Sequence, residues 1–557
     1  MANKSLFKGV KAQPQAPVAD TKNSAGGIAY GFTPEHTLAQ LAATGTFQDN
    51  ASLSADEQLD TLKRVADQCS PEFIAKVAIY ARQQGYMKDM PAALAVILSK
   101  ADPVLLDKVF DRVIDNGKQL RNFVQMIRSG KLGRKSLGSG PARLIARWLD
   151  RRSDYNLFRD SVGNDPSLAD VIRLARPAPQ TESRQALYGY LLGNEPAVND
   201  QPLVEEIVTT KNRVGIKRRY DPAKLPDIVK HFEAFKAGDR SRGIPNVDFR
   251  MLTSLQLTSA EWASIARSGG WHQTRMNLNT YARHGVFSIP GMAEVIAGKL
   301  TDEESIKRSK VFPYQLLAAF VNSGDVPPEV KLALQRATEI ATQNVPAISG
   351  NVTVIVDVSG SMSMSVTGSG RAASAVRCVD VAGLVAATIV RKNPRAVVVP
   401  VDTRVHRVSI NPLDSVMTNA TKLASFHGGG TDLAAAMLHI ERTSVPDVII
   451  MVSDNESWYG DTVRGSRATR VMDSFLRMKS RNGNLKMVCL DIVAGTTSQT
   501  VLGDDSIMNL GGFSDQFWTI VQRFLSGSGP SQWIEEIKKI DLDAPDSRSV
   551  SEGEEVS

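Results

Sequence analysis

Three short segments carry oxygen-bearing side chains in a pattern that suits a hard cation. They are Asp357-Val-Ser359-Gly-Ser361, Gly428-Gly-Gly-Thr431-Asp432 and Ser453-Asp454-Asn455-Glu456. Hydroxyl and carboxylate oxygens brought to one point favour Mg²⁺, which prefers octahedral oxygen ligation and keeps some of its water. The glycine between Ser359 and Ser361 lets the loop turn both hydroxyls the same way. An aspartate and two serines after a strand can also simply cap a helix. The cation reading rests on all three segments occurring in order, each just after an apolar strand. A hydroxyl-rich site of this kind lacks the clustered carboxylates of two-metal nucleases, which argues against phosphate-ester hydrolysis at Asp357 and Asp454.

A second chemistry is cationic. Arg128-Ser-Gly-Lys131-Leu-Gly-Arg134-Lys135-Ser-Leu-Gly138-Ser-Gly140 is a glycine- and serine-rich loop with cations, followed by Arg143, Arg147, Arg151 and Arg152. Backbone donors beside flexible cations bind phosphates. Lys211-Asn-Arg213 and Lys217-Arg218-Arg219-Tyr220 form another basic run, where the tyrosine could stack on a base. Taken singly, each run also fits a solvated face. No P-loop lysine motif, zinc-ligand spacing or helical HExxH occurs.

The elements that must position these groups fall into two grammars. From about Thr33 to Asn344 apolar residues recur at helical spacing, interrupted by turn signals. Ser54-Ala-Asp-Glu57 is a capping box, Ser70-Pro71 opens a helix closing at Gly85, and Asp102-Pro103 opens one reaching Asn116-Gly117. Similar starts stand near Asp165-Pro166, Leu225-Pro226 and Val326-Pro327. With no strand signal, this stretch predicts antiparallel helix pairs stacked as a solenoid. After Ile348 apolar strands (Val352–Val356, Ala396–Val401, Val448–Val452, Lys486–Val493) alternate with helices (Ala373–Arg391, Asp432–Thr443, Thr462–Lys479). That alternation predicts a doubly wound, mainly parallel sheet, whose ligands sit beyond the carboxyl ends of its strands.

At 557 residues the chain exceeds one compact core. Hydrophobic content of 42% with 22% charge is that of a soluble globular protein. The 46 Lys+Arg against 36 Asp+Glu up to residue 345, and 20 against 23 after it, put the whole basic excess in the helical part. That favours a polyanionic partner there. No apolar run reaches the length of a membrane span, so no membrane partner is expected. Cys69, Cys378 and Cys489 are odd in number and widely separated, which fits a reducing, cytoplasmic setting and buried small side chains. Residues 1–24, with Lys4, Lys8 and Lys11 among Pro, Ala and Gln, are expected as a flexible arm, and 542–557 as a disordered acidic tail.

Several stretches resemble the TROVE module of the Ro family of RNA-binding proteins. They are Gly31-Phe-Thr-Pro-Glu-His36, Tyr86-Met-Lys-Asp-Met-Pro91, the loop 128–140, Thr274-Arg-Met-Asn-Leu-Asn-Thr-Tyr-Ala-Arg-His-Gly285 and Phe312-Pro-Tyr314. The three oxygen-rich segments resemble the metal-ion-dependent adhesion site of von Willebrand factor A domains. By that resemblance Ser359, Ser361 and Thr431 ligate through hydroxyls, Asp357 and Asp454 act directly or through water, and a sixth position is left for an acidic group of a partner.

The resemblance implies a TROVE ring of HEAT-like repeats over 25–347 and a von Willebrand factor A domain over 348–541. It implies a small structured Y-like RNA on the ring's basic outer surface and single-stranded ends of misfolded or precursor RNAs in its hole. Bacterial members act with exoribonucleases such as polynucleotide phosphorylase in RNA quality control, maturation and decay. The candidate RNA contacts are Lys131, Arg134, Lys135, Arg173, Arg176, Arg283 and His284. In Asp170–Pro179 the sequence departs from the family, with Arg176 where a histidine stands and Ala178 in place of a lysine. The competing reading is a protein-interaction scaffold that uses the metal site without RNA.

Overall fold

The computed structural model describes the chain apart from residues 1–14, 49–53, 200, 209–213, 310, 312, 344, 367–374, 427, 459–467, 494, 513–515, 528–531 and 545–557. Lys4, Lys8, Lys11, Lys211, Arg213, Phe312 and the tail beyond 544 therefore lie outside the described residues. Two compact units emerge. One joins Met1–Gln68 to Ala297–Lys539, and the other joins Cys69–Ile296 to Ile540–Ser557. Segments 25–68 and 297–347, expected with the helical part, thus pack in the unit that holds the sheet.

The strands are β1 (Thr21–Lys22), β2 (Ile28–Gly31), β3 (Glu195–Pro196), β4 (Val204–Val208), β5 (Val214–Tyr220), β6 (Val352–Asp357), β7 (Val397–Val401), β8 (Val448–Ser453), β9 (Lys486–Asp491), β10 (Thr497–Ser498) and β11 (Ile507–Gly511). Five form a sheet in the order β11-β9-β8-β6-β7, every pairing parallel. The central strands β6 and β8 are buried at every residue, as their nearly unbroken Val/Ile runs require. Strand order reverses at β6, so the crevice beyond its carboxyl end is the natural ligand position. The strand β11 is absent from the sequence reading because Asn509 interrupts a short apolar run; that side chain is buried on Ser498 and Thr500 instead.

Of the segment 1–24 expected as a flexible arm, the described part does not behave as one, since Thr21–Lys22 form a strand. β1 and β2 pair antiparallel, and β2 pairs with β10 of the sheet-bearing unit. Tyr30 from β2 enters the core among Ile355, Val399, Leu433 and Met437. Its hydroxyl donates to the Pro17 carbonyl at 2.7 Å. Polar composition hid this, because one buried aromatic and a few strand pairings are enough to order it.

In the other unit the helices begin where their caps direct. Ser70 accepts from the Phe73 amide at the start of Pro71–Gln83, and Asp102 from the Leu105 amide at the start of Pro103–Val113. The Asp165-Pro166 signal is displaced to Ser167, which makes a capping box with Asp170 ahead of Leu168–Ala175. Successive helices pack on one another, with Phe110 edge-on to Phe123 at 5.3 Å. The stretch is not wholly helical. β3, β5 and β4 form a small sheet, and the basic run 217–220 lies on β5. There Lys217, Arg218 and Arg219 stand in one run between Ile216 and Tyr220, so the charge hides the strand in the sequence. The fold class holds: a helical region followed by a doubly wound α/β domain.

Candidate metal centre and basic surface

Asp357 ends β6, and the next residues turn at once. The Ser359 amide donates to Asp357 Oδ1 at 2.9 Å, and the Ser359 and Ser361 hydroxyls lie 3.1 Å apart. Asp357 Oδ2 accepts from the Ser453 hydroxyl at 2.7 Å, which ties the ends of β6 and β8 together. Asp454 follows β8, and its Oδ1 accepts from the Glu456 amide at 3.1 Å. The loop 428–432 is fastened to both neighbours. Gly429 O accepts from the Gly360 amide at 3.1 Å, and Thr431 O accepts from the Trp458 amide at 3.1 Å and the Ser457 hydroxyl at 3.3 Å. Gly430 has no room for a Cβ, which would stand 2.7 Å from the Trp458 ring. Asp432 turns away to cap the helix Leu433–Thr443.

Asp357, Ser359, Thr431 and Asp454 are all buried, and Ser361 is half-buried. Burial pushes both carboxyls above the usual range, and the charge of Asp454 adds to the effect on Asp357. Burial, with a smaller effect of the same carboxylates, pushes the neighbouring Cys378 thiol up to about 12. Among the described residues the site therefore gathers negative charge. Among the described residues Asp454 Oδ2 is buried with no hydrogen-bond partner, while the Ser361 hydroxyl stands close enough to this carboxyl to offset part of the effect of burial. An orphaned carboxylate oxygen beside two hydroxyls and a second carboxylate is a donor set that fits a hard divalent cation.

A supporting layer was not visible in the sequence reading. Asn455 adopts a left-handed backbone with φ of 60° and donates its side-chain amide to Asp491 at the end of β9. Gln40, on the helix Pro34–Thr44, reaches the other Asp491 oxygen at 3.3 Å. Burial raises the Asp491 carboxyl well above its usual range. Ser453, directly after an apolar run, carried a local signal. Gln40, some 450 positions away in the chain, carried none.

The candidate RNA residues divide in the structure. Lys131 and Lys135 are exposed on the loop between helices Gly117–Arg128 and Ser139–Arg151, which turns through Gly130, Gly133 and Gly138 at φ of 74°, 80° and 64°. Arg134 instead points inward and holds that loop by hydrogen bonds to Ser99, Ser136 and Leu137. Arg173 is exposed but bonded to Asp170 and the Leu192 carbonyl. Arg176 is exposed and closes the helix Leu168–Ala175 in the left-handed conformation. That helix packs on both helices flanking the loop, so Arg173 and Arg176 belong to its neighbourhood. Arg283 and His284 lie elsewhere, at the end of Leu278–Arg283, which packs on Ser259–Ser268. His284 is exposed and stacks on the Trp262 ring at 4.5 Å and 20°.

Other cations of the sequence reading are spent within the fold. Arg147 and Arg151 pair with Asp107 and Asp111 of the helix Pro103–Val113, and Arg152 lies over Trp148. Lys217 and Arg219 pair with Glu195 and Glu205, each at 2.7 Å, while Tyr220 packs edge-on to Tyr190.

Residues 351–525 match the family model of the Ro60 vWA domain. By sequence the chain matches no curated protein. Among solved structures it is similar to the Deinococcus radiodurans RO (RSR) protein. The TM-score is 0.58 at 18% identity, and the match covers 89% of this chain and 100% of that one.

Proposed function

Because residues 351–525 match the Ro60 vWA-domain model and the fold is similar to that of a Ro protein, we propose that this chain is a Ro-type, non-catalytic RNA-binding scaffold with a divalent-metal site. The observation that carries the reading is a fold similar to that of a Ro protein whose helical unit exposes Lys131, Lys135, Arg176 and Arg283. Cations of this kind contact phosphate and give a binding strength that falls steeply with salt. The RNA on this surface is a small structured Y-like RNA. A second class, misfolded or precursor RNAs, is held by single-stranded ends and passed to an exoribonuclease such as polynucleotide phosphorylase, in the cytoplasm. No helix among the described residues is long and apolar enough to cross a membrane.

In the metal centre Ser359, Ser361 and Thr431 supply hydroxyl oxygens, and Asp357 and Asp454 supply charge directly or through water. Mg²⁺ suits this set and would leave a position for an acidic group of a partner. The orphaned Asp454 oxygen supports that reading.

The test is recovery and sequencing of RNA that co-purifies with the tagged full chain and with a Lys131→Ala, Lys135→Ala, Arg176→Ala variant. One enriched small structured RNA, lost in the variant, is the expected outcome. No RNA at low salt from the unaltered chain would transfer the argument to an RNA-free protein-interaction scaffold built on the metal site.

A further inference from the structure

The third metal loop, residues 453–458, is held from outside by a segment more than 400 positions earlier in the chain. Asn23 donates its side-chain amide to the Ser457 carbonyl at 2.7 Å and to the Asn455 carbonyl at 3.4 Å. Ser24 Oγ and the Ala25 amide donate to the two oxygens of Glu456 at 3.2 and 3.1 Å. Asn23 is itself fixed by a closed turn. Its Oδ1 accepts from the Gly27 amide at 2.8 Å, and its backbone N–H donates to Gly27 O at 2.9 Å. A Cβ on Gly27 would collide with the Ser457 carbonyl and stand 2.8 Å from Trp458 Cα. Beyond the turn, β2 is anchored by β10, and Gln499 donates to the Ile28 carbonyl at 3.3 Å.

Every residue of this loop from Asn455 to Trp458 is thus touched by the turn 23–27 or lies against it, and Asp454 is the residue just before them. Asn23 is buried at 5% exposure, so its donor has no exchange with water to fall back on. We infer that the turn 23–27 is a clasp that sets the position of the Asp454 carboxylate, with Asn23 and Gly27 as positioning residues of the metal centre. The inference rests on the metal reading of the preceding section. Its consequence is that cation affinity depends on the N-terminal segment, although that segment supplies no ligand.

The experiment measures free Mn²⁺ by electron paramagnetic resonance during titration of the full chain. The unaltered chain, Asp357→Ala, Asn23→Asp, Gly27→Ala and Tyr30→Phe are compared well below their unfolding temperatures. Asn23→Asp keeps the oxygen that receives the Gly27 amide but loses the donor to Ser457. Tyr30→Phe removes a hydrogen bond of the same segment that does not touch the loop. Supporting residues outside the ligand shell are typically worth about ten- to a hundredfold in metal affinity, and a loss of that order is expected for Asn23→Asp and Gly27→Ala. Tyr30→Phe should bind as the unaltered chain does, and Asp357→Ala should bind none. Full affinity in both clasp variants, or an equal loss in Tyr30→Phe, overturns the clasp while leaving the metal reading intact. No Mn²⁺ bound by the unaltered chain overturns the metal reading and the clasp with it.

Discussion

Arg134 donates through Nη1 to both the carbonyl oxygen and the hydroxyl of Ser99, at 2.8 and 3.2 Å. Its Nε and Nη2 reach the carbonyls of Ser136 and Leu137 at 3.1 and 2.8 Å. A guanidinium has five N–H donors, so the protein itself takes most of this one's capacity. Arg134→Ala should therefore cost on the order of 2 kcal/mol, read as a lower urea midpoint, because it takes this donor from the carbonyls of the buried residues Ser99 and Leu137. Lys131→Ala and Lys135→Ala should stay within about 0.5 kcal/mol in stability. Each should lower the slope of log affinity against log salt by about 1. An unchanged urea midpoint for Arg134→Ala, with RNA lost as in the lysine variants, would restore it as a phosphate contact.

His284 covers Trp262, which is fully buried, while remaining exposed itself. An imidazole already held flat against an indole offers its other face to a base at little entropic cost. For a single-stranded oligonucleotide His284→Ala should weaken binding by about 1 kcal/mol, nearly independent of salt. Arg283→Ala should weaken it mainly at low salt. The pair is compared by fluorescence anisotropy at two ionic strengths. Unaltered affinity in His284→Ala, with only a shift in tryptophan emission, would leave the histidine as a cover for Trp262.

The order and type of the strands carrying the metal segments were legible, because β6 and β8 are buried on both faces and read as unbroken apolar runs. Asp357, Ser359, Ser361 and Asp454 were legible for the same reason, since they follow those runs directly. What did not show was long-range. Asn23, Gln40 and Gly27 act on 455–457 and 491 through hydrogen bonds and fit, and nothing in their local pattern marks that. The cations were legible as charge but not as free charge. Arg147, Arg151 and Arg219 find acidic partners that spacing alone does not specify. The sheet over 195–220 was hidden by the charge of β4 and β5, where Glu205 faces Lys217 across the ladder.

Asp454 and Asp357 are buried with raised carboxyl pKa values, so in the metal-free chain their charges oppose folding. Asp454→Asn should raise the melting temperature in chelator and abolish any further rise on adding Mg²⁺. In the unaltered chain Mg²⁺ at a hundred times its dissociation constant contributes about 2.7 kcal/mol. For a cooperative domain the size of residues 351–525 that corresponds to a rise of several degrees, at about 2–4 °C per kcal/mol. Differential scanning calorimetry with and without chelator separates the effects. A Mg²⁺ response that persists in Asp454→Asn would remove Asp454 from the site.

His36 gives the pH dependence its clearest sign. Its ring is buried between Phe32, at 4.3 Å, and Trp533, edge-on at 5.5 Å, and Nε2 has no hydrogen-bond partner among the described residues. Burial holds its pKa down at about 3, against 6.5 in an exposed histidine. The folded chain therefore keeps the ring neutral where the unfolded chain takes up a proton. That difference is nil above about pH 6.5 and grows as pH falls toward 3, at up to about 1.4 kcal/mol per pH unit. His36→Phe keeps an aromatic ring in the same packing and removes the titration. Its stability relative to the unaltered chain should rise steadily from pH 6.5 to pH 4.5 and be flat above pH 7. Carboxylates titrating over the same range cancel in that difference, because they are common to both proteins. A difference that does not change between pH 7 and pH 4.5, measured by urea unfolding, would mean that the ring finds a proton-accepting partner on protonation and that the pocket admits its charge.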